Sequence, residues 1–154
     1  MLQLNLPQYS FRIKKQNDKL VIFDSQRKRY VALTPEEWVR QNFIRFLIEE
    51  KGYPAAYLAI EKQLNMNGMK KRCDAILYNE HAQPFLIIEL KAPNVAISQA
   101  TFDQVAVYNA KLKVNFFIIS NGIEHFCCKV NLETARYEFF PEIPDFNQIV
   151  TKNA

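Results

Sequence analysis

The fold of this chain is decided by residues 72–78, RCDAILY, and residues 84–91, PFLIIELK. Each run is apolar and is bounded by polar turn residues, which is typical of buried strands. Only a short polar segment separates the two runs. We therefore predict that they pair as an antiparallel hairpin.

The register of this hairpin follows from its loop, residues 80–83, which places Asn79 opposite Pro84. The same register places Asp74 opposite Glu89. Because side chains alternate along a strand, the face with the two acids also carries two apolar pairs, Tyr78 with Phe85 and Ile76 with Ile87. The other face is predicted to carry Leu77 with Leu86, Ala75 with Ile88 and Cys73 with Leu90.

Two facing carboxylates repel each other, and the repulsion grows as water is excluded from the site. A divalent cation offsets this repulsion, and Mg²⁺ prefers one or two carboxylates together with water and phosphate oxygens. Lys91 lies two residues beyond Glu89 and so points to the same side. Asp74, Glu89 and Lys91 therefore predict a metal-assisted phosphodiesterase site that binds Mg²⁺ or Mn²⁺.

At these residues the chain resembles the PD-(D/E)xK nuclease superfamily, since fourteen residues separate Asp74 from the segment Glu89-Leu90-Lys91. The wider sequence is similar to the N-terminal nuclease domain of type I restriction enzyme R subunits and to small stand-alone proteins built on it. The segments that carry this similarity are residues 34–41, 71–74, 88–93, 99–104 and 120–122. The resemblance implies that Asp74, Glu89 and the Leu90 carbonyl bind the metal and that Lys91 assists the attacking water.

Glu37 has two interpretations, which stay open at this point. Thr34 followed by Pro35 predicts a helix start, and Glu37 stands three residues after Thr34, as in a capping box. On a helical wheel, however, Glu37 falls within the apolar arc, where an acid needs a partner. The resemblance implies a catalytic acid on this helix, carried onto Glu37, with Glu36 as the fallback.

A second helix is predicted to carry Gln104 and Tyr108 on one face, because they are four residues apart. The spacing matches the Q-x-x-x-Y motif of similar nuclease domains, which implies contact with DNA or support of the site. An ordinary half-buried tyrosine beside a solvated glutamine is the alternative.

Basic residues near the proposed site are further candidates for DNA binding. Lys70, Lys71 and Arg72 precede Asp74 and could meet phosphates, or form a solvated loop. Arg40 could bind a phosphate or pair with a neighbouring glutamate. Glu61 is interpreted as an edge charge, with support of the site as the alternative.

The length and composition predict one globular domain over residues 1–154, with residues 1–33 as an N-terminal β extension and 34–140 as the core. The net charge of +4 permits DNA as a partner. Three glycines supply no phosphate-cradling loop, so no nucleotide cofactor is expected. Without a signal segment or an apolar run of about 18 residues, the chain is predicted to be cytoplasmic, with no membrane partner. Three cysteines, two of them adjacent, predict reduced thiols.

The order of predicted elements argues for an α/β (α+β) fold, in which a mixed β-sheet is flanked by helices. The resemblance implies the same architecture, a restriction-endonuclease-like core with an added N-terminal β-hairpin. Strands are predicted at 9–14, 19–24, 29–32, 58–64, 72–78, 84–91, 114–119, 124–129 and 136–140, and helices at 34–51 and 98–112.

The leading hypothesis is a Mg²⁺-dependent DNA endonuclease of the type I restriction kind, with a targeting or restriction-modification partner. The first alternative is a module on the same fold that binds DNA or a partner without catalysis. The second is a purely structural or interaction domain, which predicts neither metal nor DNA binding.

Overall fold

The computed structural model describes residues 2–66, 68–134 and 136–153. Its N-terminal part is a three-stranded antiparallel sheet, with strands in chain order. These strands are β1 (Ile13–Gln16), β2 (Lys19–Asp24) and β3 (Arg29–Ala32). The predicted β extension is therefore a small sheet of its own, whose first strand begins at Ile13 rather than near Tyr9.

A six-stranded mixed sheet follows, again with strands in chain order. Its strands are β4 (Leu58–Met66), β5 (Met69–Tyr78), β6 (Pro84–Leu90), β7 (Phe116–Ser120), β8 (His125–Val130) and β9 (Tyr137–Phe139). The helices are α1 (Pro35–Glu49), α2 (Gln99–Leu112), α3 (Phe146–Asn153) and a 3₁₀ turn at Ala55–Tyr57. This confirms the predicted mixed sheet flanked by helices.

The sheet is mixed because β6 and β7 are parallel, with α2 as the connection between them. A parallel pair needs such a crossover, whereas the antiparallel pairs on either side need only turns. Strand β5 lies between β4 and β6, and β6 lies between β5 and β7. The RCDAILY and PFLIIELK runs thus occupy the middle of the sheet, which explains why both are apolar.

Both long helices begin where the sequence predicts. Thr34 caps α1 and its Oγ1 accepts a hydrogen bond of 3.0 Å from the Glu37 amide, with Pro35 in the first turn. Ser98 and Thr101 form a capping box at the start of α2. These local signals fix the helix starts because they satisfy amide groups that have no partner within the helix.

The two helices pack on opposite faces of the sheet. Phe116 and Ile118 belong to the cluster that contains α1 residues, whereas Phe117 and Ile119 belong to the cluster that contains α2 residues. Successive residues of a strand point to opposite faces. Each face of β7 is therefore covered by a helix, and both faces are dry.

The predicted hairpin register is confirmed in its middle and wrong at its loop. Ala75 lies opposite Ile88, Ile76 opposite Ile87 and Leu77 opposite Leu86. Beyond a bulge, however, Tyr78 lies opposite Pro84 rather than Phe85. The loop is tighter than predicted, because the Asn79 amide donates to the Gln83 carbonyl and Ala82 adopts a left-handed conformation, φ 58°. A three-residue loop of this kind produces such a bulge.

The faces also differ from the prediction at both ends of the hairpin. Phe85 packs in the α1-side cluster instead of beside Tyr78. Cys73 packs with Ile76 and Ile87, whereas Leu90 lies in the α1-side cluster. The backbone changes direction near Asp74, where Glu61 of the neighbouring strand has φ 50° and the β4–β5 ladder skips one pair.

Two further features concern the cysteines and the length of the apolar helices. All three cysteines are free and buried, as expected of reduced thiols. Among the described residues, no helix is long and apolar enough to cross a membrane.

Candidate active site

Asp74 connects three elements through its two carboxylate oxygens. Oδ2 accepts a hydrogen bond of 2.8 Å from the Leu90 amide, at the end of β6. Oδ1 accepts one of 3.0 Å from Arg40 Nη2, on α1. Bonds to charged donors are stronger than neutral ones, so the carboxylate is held firmly against the segment Glu89-Leu90-Lys91.

Glu89 is buried, with 8% of its surface exposed. The Lys71 ammonium lies 3.2 Å from its Oε1, but is not aligned for a hydrogen bond, and Oε1 has no other partner among the described residues. Burial raises the pKa of Glu89, while Lys71 acts in the opposite direction. Glu89 is thus a carboxylate with spare acceptor capacity in a poorly solvated position.

The predicted face-to-face pair of Asp74 with Glu89 is not part of the β5–β6 ladder. The β5–β6 ladder ends at Ala75 and Ile88, and Asp74 turns toward α1 to meet Arg40. Glu89 alternates with residues of the α1 side and so projects toward α2. The charges of the two carboxylates nevertheless interact, and as a result Asp74 also raises the pKa of Glu89.

A preformed metal cage is absent from the described residues. No group of three His, Cys, Asp or Glu side chains in residues 2–66, 68–134 and 136–153 is arranged to hold a metal ion. The residues nevertheless suit a hydrated cation, since Mg²⁺ is commonly held by one or two carboxylates with several waters. The remaining lone pairs of Asp74 and of Glu89, whose Oε1 lies 3.2 Å from the Lys71 ammonium, are suitable oxygen donors.

Lys91 lies directly after β6 and is half-buried. Its backbone amide donates to the Ser120 carbonyl at 2.9 Å, which extends the pairing of β6 with β7 by one residue. Its ammonium group lowers the pKa of both Glu36 and Glu89. The cation therefore acts electrostatically on Glu36 of α1 and on Glu89 of β6.

The structure separates the roles of Glu36 and Glu37. Glu37 is buried, and its carboxylate binds Arg40 at 2.5 Å, Arg27 at 2.7 Å and Gln41 at 2.9 Å. Its carboxylate therefore binds these three side chains instead of closing the predicted capping box. Because its oxygens are held by other donors, the expectation that Glu37 reaches metal or water needs correction.

Glu36, the fallback position, is the acid of α1 that faces the site. Its side chain is 48% exposed. Partial burial raises the pKa of Glu36, and the nearby Asp74 carboxylate raises it further. Arg40 and Lys91 act in the opposite direction. A solvent-accessible acid between Asp74 and Lys91 is better placed than Glu37 to meet a water molecule.

A buried charge cluster supports Asp74 from the N-terminal side, and the sequence did not reveal it. Arg27 binds Asp24, Glu37 and Glu61, and Arg40 binds Glu37, Asp74 and Glu61. Burial alone lowers the pKa of each arginine, but the carboxylates raise it by more, so both guanidinium groups stay charged. In the sequence, Arg27 belongs to a run of three basic residues, 27–29, and such a run favours solvated side chains.

Two predicted DNA contacts therefore change. Arg40 is buried, with 6% exposed, and is directed at carboxylates, so it is not available to phosphates. The basic cluster before Asp74 is divided by strand alternation: Lys71 pairs with Glu89, whereas the exposed Arg72 pairs with Glu61 at 3.1 Å. Lys70 is exposed. Lys70 and Arg72 therefore keep the open positions that the prediction assumed, although Arg72 also pairs with Glu61.

The predicted pair on α2 is partly joined to the site. Tyr108 lies under the Lys71 ammonium, 4.5 Å from the ring centroid, and Lys71 in turn contacts Glu89. Gln104 lies one turn away and is exposed. Tyr108 thus supports the lysine beside Glu89, while contact of Gln104 with DNA stays a prediction.

Comparison with known proteins agrees with this architecture. The family model for the N terminus of type I restriction enzyme R proteins matches residues 35–144, from α1 to the segment before α3. A fragment of a protein assigned as an HsdR subunit of a type I restriction enzyme from Vibrio vulnificus has a TM-score of 0.55 and 17% identity. The match covers 79% of the present chain and 25% of that chain, so the present chain spans about a quarter of its length.

A protein assigned as a nuclease of the DUF820 group, from Anabaena variabilis, is also similar. Its TM-score is 0.48 at 12% identity, over 89% of the present chain and 80% of that one. No curated protein matches the sequence. The likeness to the Vibrio fragment concerns the fold, and it agrees with a mixed sheet flanked by helices.

Proposed function

The chain belongs to the type I restriction enzyme R protein N-terminal family, and from that membership we propose that it is a Mg²⁺- or Mn²⁺-dependent DNA endonuclease of the PD-(D/E)xK kind. The observation that carries the proposal is the hydrogen bond of 2.8 Å from the Leu90 amide to Asp74 Oδ2. It joins the acid of β5 to the segment Glu89-Leu90-Lys91. The carboxylates of Asp74 and Glu89 and the ammonium group of Lys91 are the groups that the proposed site would use.

The proposed metal ligands are Asp74, Glu89 and the carbonyl of Leu90. When bound, the ion supplies a Lewis acid that polarises a phosphoryl oxygen and lowers the pKa of a water molecule. Glu89 Oε1 supports this assignment, because it is a buried carboxylate oxygen beside only one cation, Lys71, and keeps lone pairs that a hard cation could use. Arg40 keeps the Asp74 side chain in place through its bond to Oδ1.

Lys91 and Glu36 are the proposed groups that act on the water and the phosphate. The Lys91 ammonium would orient the water and stabilise the negative charge that develops on the phosphoryl oxygens. Glu36, whose pKa is raised by burial and by Asp74, is placed to hold the proton that the water loses. Glu37 is proposed as a positioning residue, since it binds the arginine that holds Asp74.

A second function, DNA or partner binding without catalysis, is favoured by one observation. Both acids already have a cation nearby: Arg40 at Asp74 and Lys71 at Glu89. A site balanced in this way has less need of a metal ion to hold its carboxylates. This alternative predicts DNA binding that depends on salt and is unaffected by chelators.

The similarity to the Vibrio protein suggests a partner protein. That protein is described as an HsdR subunit of a type I restriction enzyme, and the match covers 25% of the Vibrio chain. We propose that a targeting or restriction-modification partner selects the cleavage site. Pull-down of such a partner by the 154-residue chain would support this point. It is independent of whether the isolated chain nicks DNA.

Plasmid cleavage tests the catalytic proposal. Wild-type protein should nick supercoiled plasmid with Mg²⁺ or Mn²⁺ and should not do so in chelator. Asp74→Asn, Glu89→Gln and Lys91→Met should each slow cleavage by about 100-fold or more, which is typical of lost acid-base or electrostatic groups. Lys113→Met, at an exposed position after α2, is the matched control and should cleave like wild type.

Calorimetric titration with Mn²⁺ separates the two functions. The nuclease proposal expects binding to wild type and a large loss of affinity in Asp74→Asn. Absence of metal binding and of cleavage with every common divalent ion, while DNA still binds, would select the non-catalytic module. A Lys91→Met protein as active as wild type would remove Lys91 from the mechanism.

A further inference from the structure

The positive charge of this chain is concentrated in the N-terminal sheet. Residues 1–33 contain seven lysines and arginines and two aspartates, a net charge of +5. Residues 34–154 contain 13 basic and 14 acidic residues, a net charge of −1. The family match begins at residue 35, after this sheet. The excess of positive charge thus comes from a segment outside the matched region.

One face of the sheet, which we call the outer face, carries Arg12, Lys14, Lys19, Phe23 and Tyr30. Pairing of β1 with β2 and of β2 with β3 places these side chains on one side by alternation. Arg12 continues the pairing, because its carbonyl accepts from the Phe23 amide at 2.9 Å. The opposite face packs inward through Ile22, which is fully buried. The outer face is therefore open to solvent.

Aromatic rings hold two of these cations in place. The Arg12 guanidinium lies 4.0 Å from the centroid of Phe23, and the Lys14 ammonium lies 4.1 Å from that of Tyr30. The two rings contact each other edge to face at 5.3 Å. Cation–π contacts of this kind restrict long side chains in advance of binding, which reduces the entropy lost when a ligand is bound.

The cations of the outer face also lack acidic neighbours. Within the described part of the chain, no carboxylate lies within ion-pair distance of Arg12, Lys14 or Lys19. Arg27, in the turn between β2 and β3, is by contrast surrounded by Asp24, Glu37 and Glu61. The cations of the outer face are therefore available to an anion, whereas Arg27 is neutralised.

The outer face continues into a groove that leads to the candidate active site. The outer-face residues Tyr30 and Ala32 line this groove on the sheet side. The rest of its lining is formed by Arg27, Arg29, Val31, Thr34, Glu36, Glu37, Arg40 and Glu61. Glu36 is the acid that interacts with Asp74. Because the groove carries three glutamates, the attraction of a polyanion comes from the outer face, which lies next to the groove and so brings the polyanion close to the acids of the candidate site.

We propose that the outer face of the N-terminal sheet binds the phosphate backbone of duplex DNA and directs it toward Asp74. The choice of DNA rests on the proposed function, whereas the polyanion-binding surface follows from the charges and the ring contacts. Duplex is favoured over single strands, because Arg12 and Lys14 already occupy faces of Phe23 and Tyr30 that unpaired bases would need for stacking.

The test compares two charge variants of the 154-residue protein by fluorescence anisotropy on a 30-base-pair duplex, with chelator present and over a range of salt concentrations. The outer-face variant is Arg12→Gln, Lys14→Gln and Lys19→Gln. The control removes three other exposed charges with Lys111→Gln, Lys113→Gln and Arg136→Gln. Each phosphate contact contributes about 0.9 to the slope of log affinity against log salt.

The outer-face variant should bind the duplex at least about tenfold more weakly, with a slope shallower by about two to three, while the control stays within about twofold of wild type. Lys19→Gln alone, which disturbs no ring contact, should reduce the slope by about one and serves if the triple variant does not fold. Equal binding by the two variants would overturn the proposal. So would equally tight binding of single-stranded DNA, of RNA or of anionic lipid vesicles.

Chelator keeps this result separate from the nuclease proposal. If wild-type protein binds the duplex more tightly than the outer-face variant but does not cleave plasmid in Mg²⁺, the DNA-binding surface is supported and the catalytic function is rejected. If wild-type protein cleaves plasmid but the outer-face variant binds the duplex as tightly as wild type, the catalytic function is supported and the DNA-binding surface is rejected.

Discussion

Replacing Arg40 by methionine should lower the free energy of unfolding by about 3 kcal/mol, because the substitution removes the guanidinium that bridges the buried Glu37 and the partly buried Asp74. Arg40 is 6% exposed and binds Glu37 at 2.5 Å and Asp74 at 3.0 Å. Methionine keeps most of the methylene packing, so the loss is chiefly electrostatic. The substitution therefore isolates the charge of one side chain.

The magnitude follows from the contacts that remain. Removing one partner of a buried ion pair costs about 3–5 kcal/mol. In Arg40→Met, Glu37 keeps Arg27 at 2.7 Å, and Asp74 keeps the Leu90 amide at 2.8 Å. Neither carboxylate is left without a donor, which places the expected loss at the lower end, about 3 kcal/mol.

Arg45→Met is the matched control on the same helix. Arg45 pairs with Glu49, and their side chains are 36% and 45% exposed. An exposed pair of this kind contributes about 0–1 kcal/mol. Urea unfolding in chelator measures both variants, and unchanged slopes would show that the midpoints report stability. A loss for Arg40→Met within about 1 kcal/mol of the Arg45→Met value would refute the electrostatic role of Arg40.

Adding Mn²⁺ extends the test to the candidate metal site. The proposal expects Mn²⁺ to stabilise Arg40→Met more than wild type, because the ion can replace the missing guanidinium at Asp74. A ligand at 100 times its dissociation constant adds about 2.7 kcal/mol. Equal stabilisation of both proteins would show that Arg40 and the metal do not compete.

Three further predictions concern the surroundings of the site. Gly122→Ala should destabilise the fold by about 1–3 kcal/mol in thermal unfolding, because φ is +86° and the new Cβ would lie 2.8 Å from Leu4 Cδ2; a stability equal to wild type would contradict this strain. Burial lowers the pKa of His125 in the folded state, whereas an unfolded histidine keeps a pKa of about 6.5. As pH falls through about 6.5, the unfolded state therefore binds more protons than the folded state, and the free energy of unfolding should decrease. His125→Gln should lose this dependence in urea unfolding at several pH values. Burial raises the pKa of Glu89 and Lys71 lowers it, so Lys71→Met should raise this pKa further. NMR titration of the carboxyl group measures the change, and a pKa of Glu89 equal to that in wild type would show that the ion pair is unimportant.

Local patterns were sufficient for most of the elements. Thr34 and Ser98 cap the two long helices as predicted, because a cap depends only on residues within one turn. The middle of the hairpin has the predicted register, since a one-residue slip would move Ala75 and Ile88 to the wrong face. Strands β7 and β8 were readable as apolar runs bounded by turn residues.

The loop of the hairpin and the direction of Asp74 were not readable in the same way. A left-handed residue at Ala82 shifts the register by one, and nothing in that residue type announces it. The turn of Asp74 toward α1 depends on Arg40, which is 34 positions away in sequence. The alternation rule assumes a regular strand, and this strand is irregular next to the site.

The sequence by itself determined the order of strands and helices, the family, and the placement of Asp74 and the segment Glu89-Leu90-Lys91 on the two strands of one hairpin, because these depend on short-range periodicity and pairing. Only the tertiary structure decided which cation holds which acid. Arg27 and Arg40 each bind several acids, whereas Lys71 binds Glu89, and the packing of α1 and the N-terminal sheet against β4 and β5 sets these pairs. That choice is set by distances across the folded core, which no local pattern encodes.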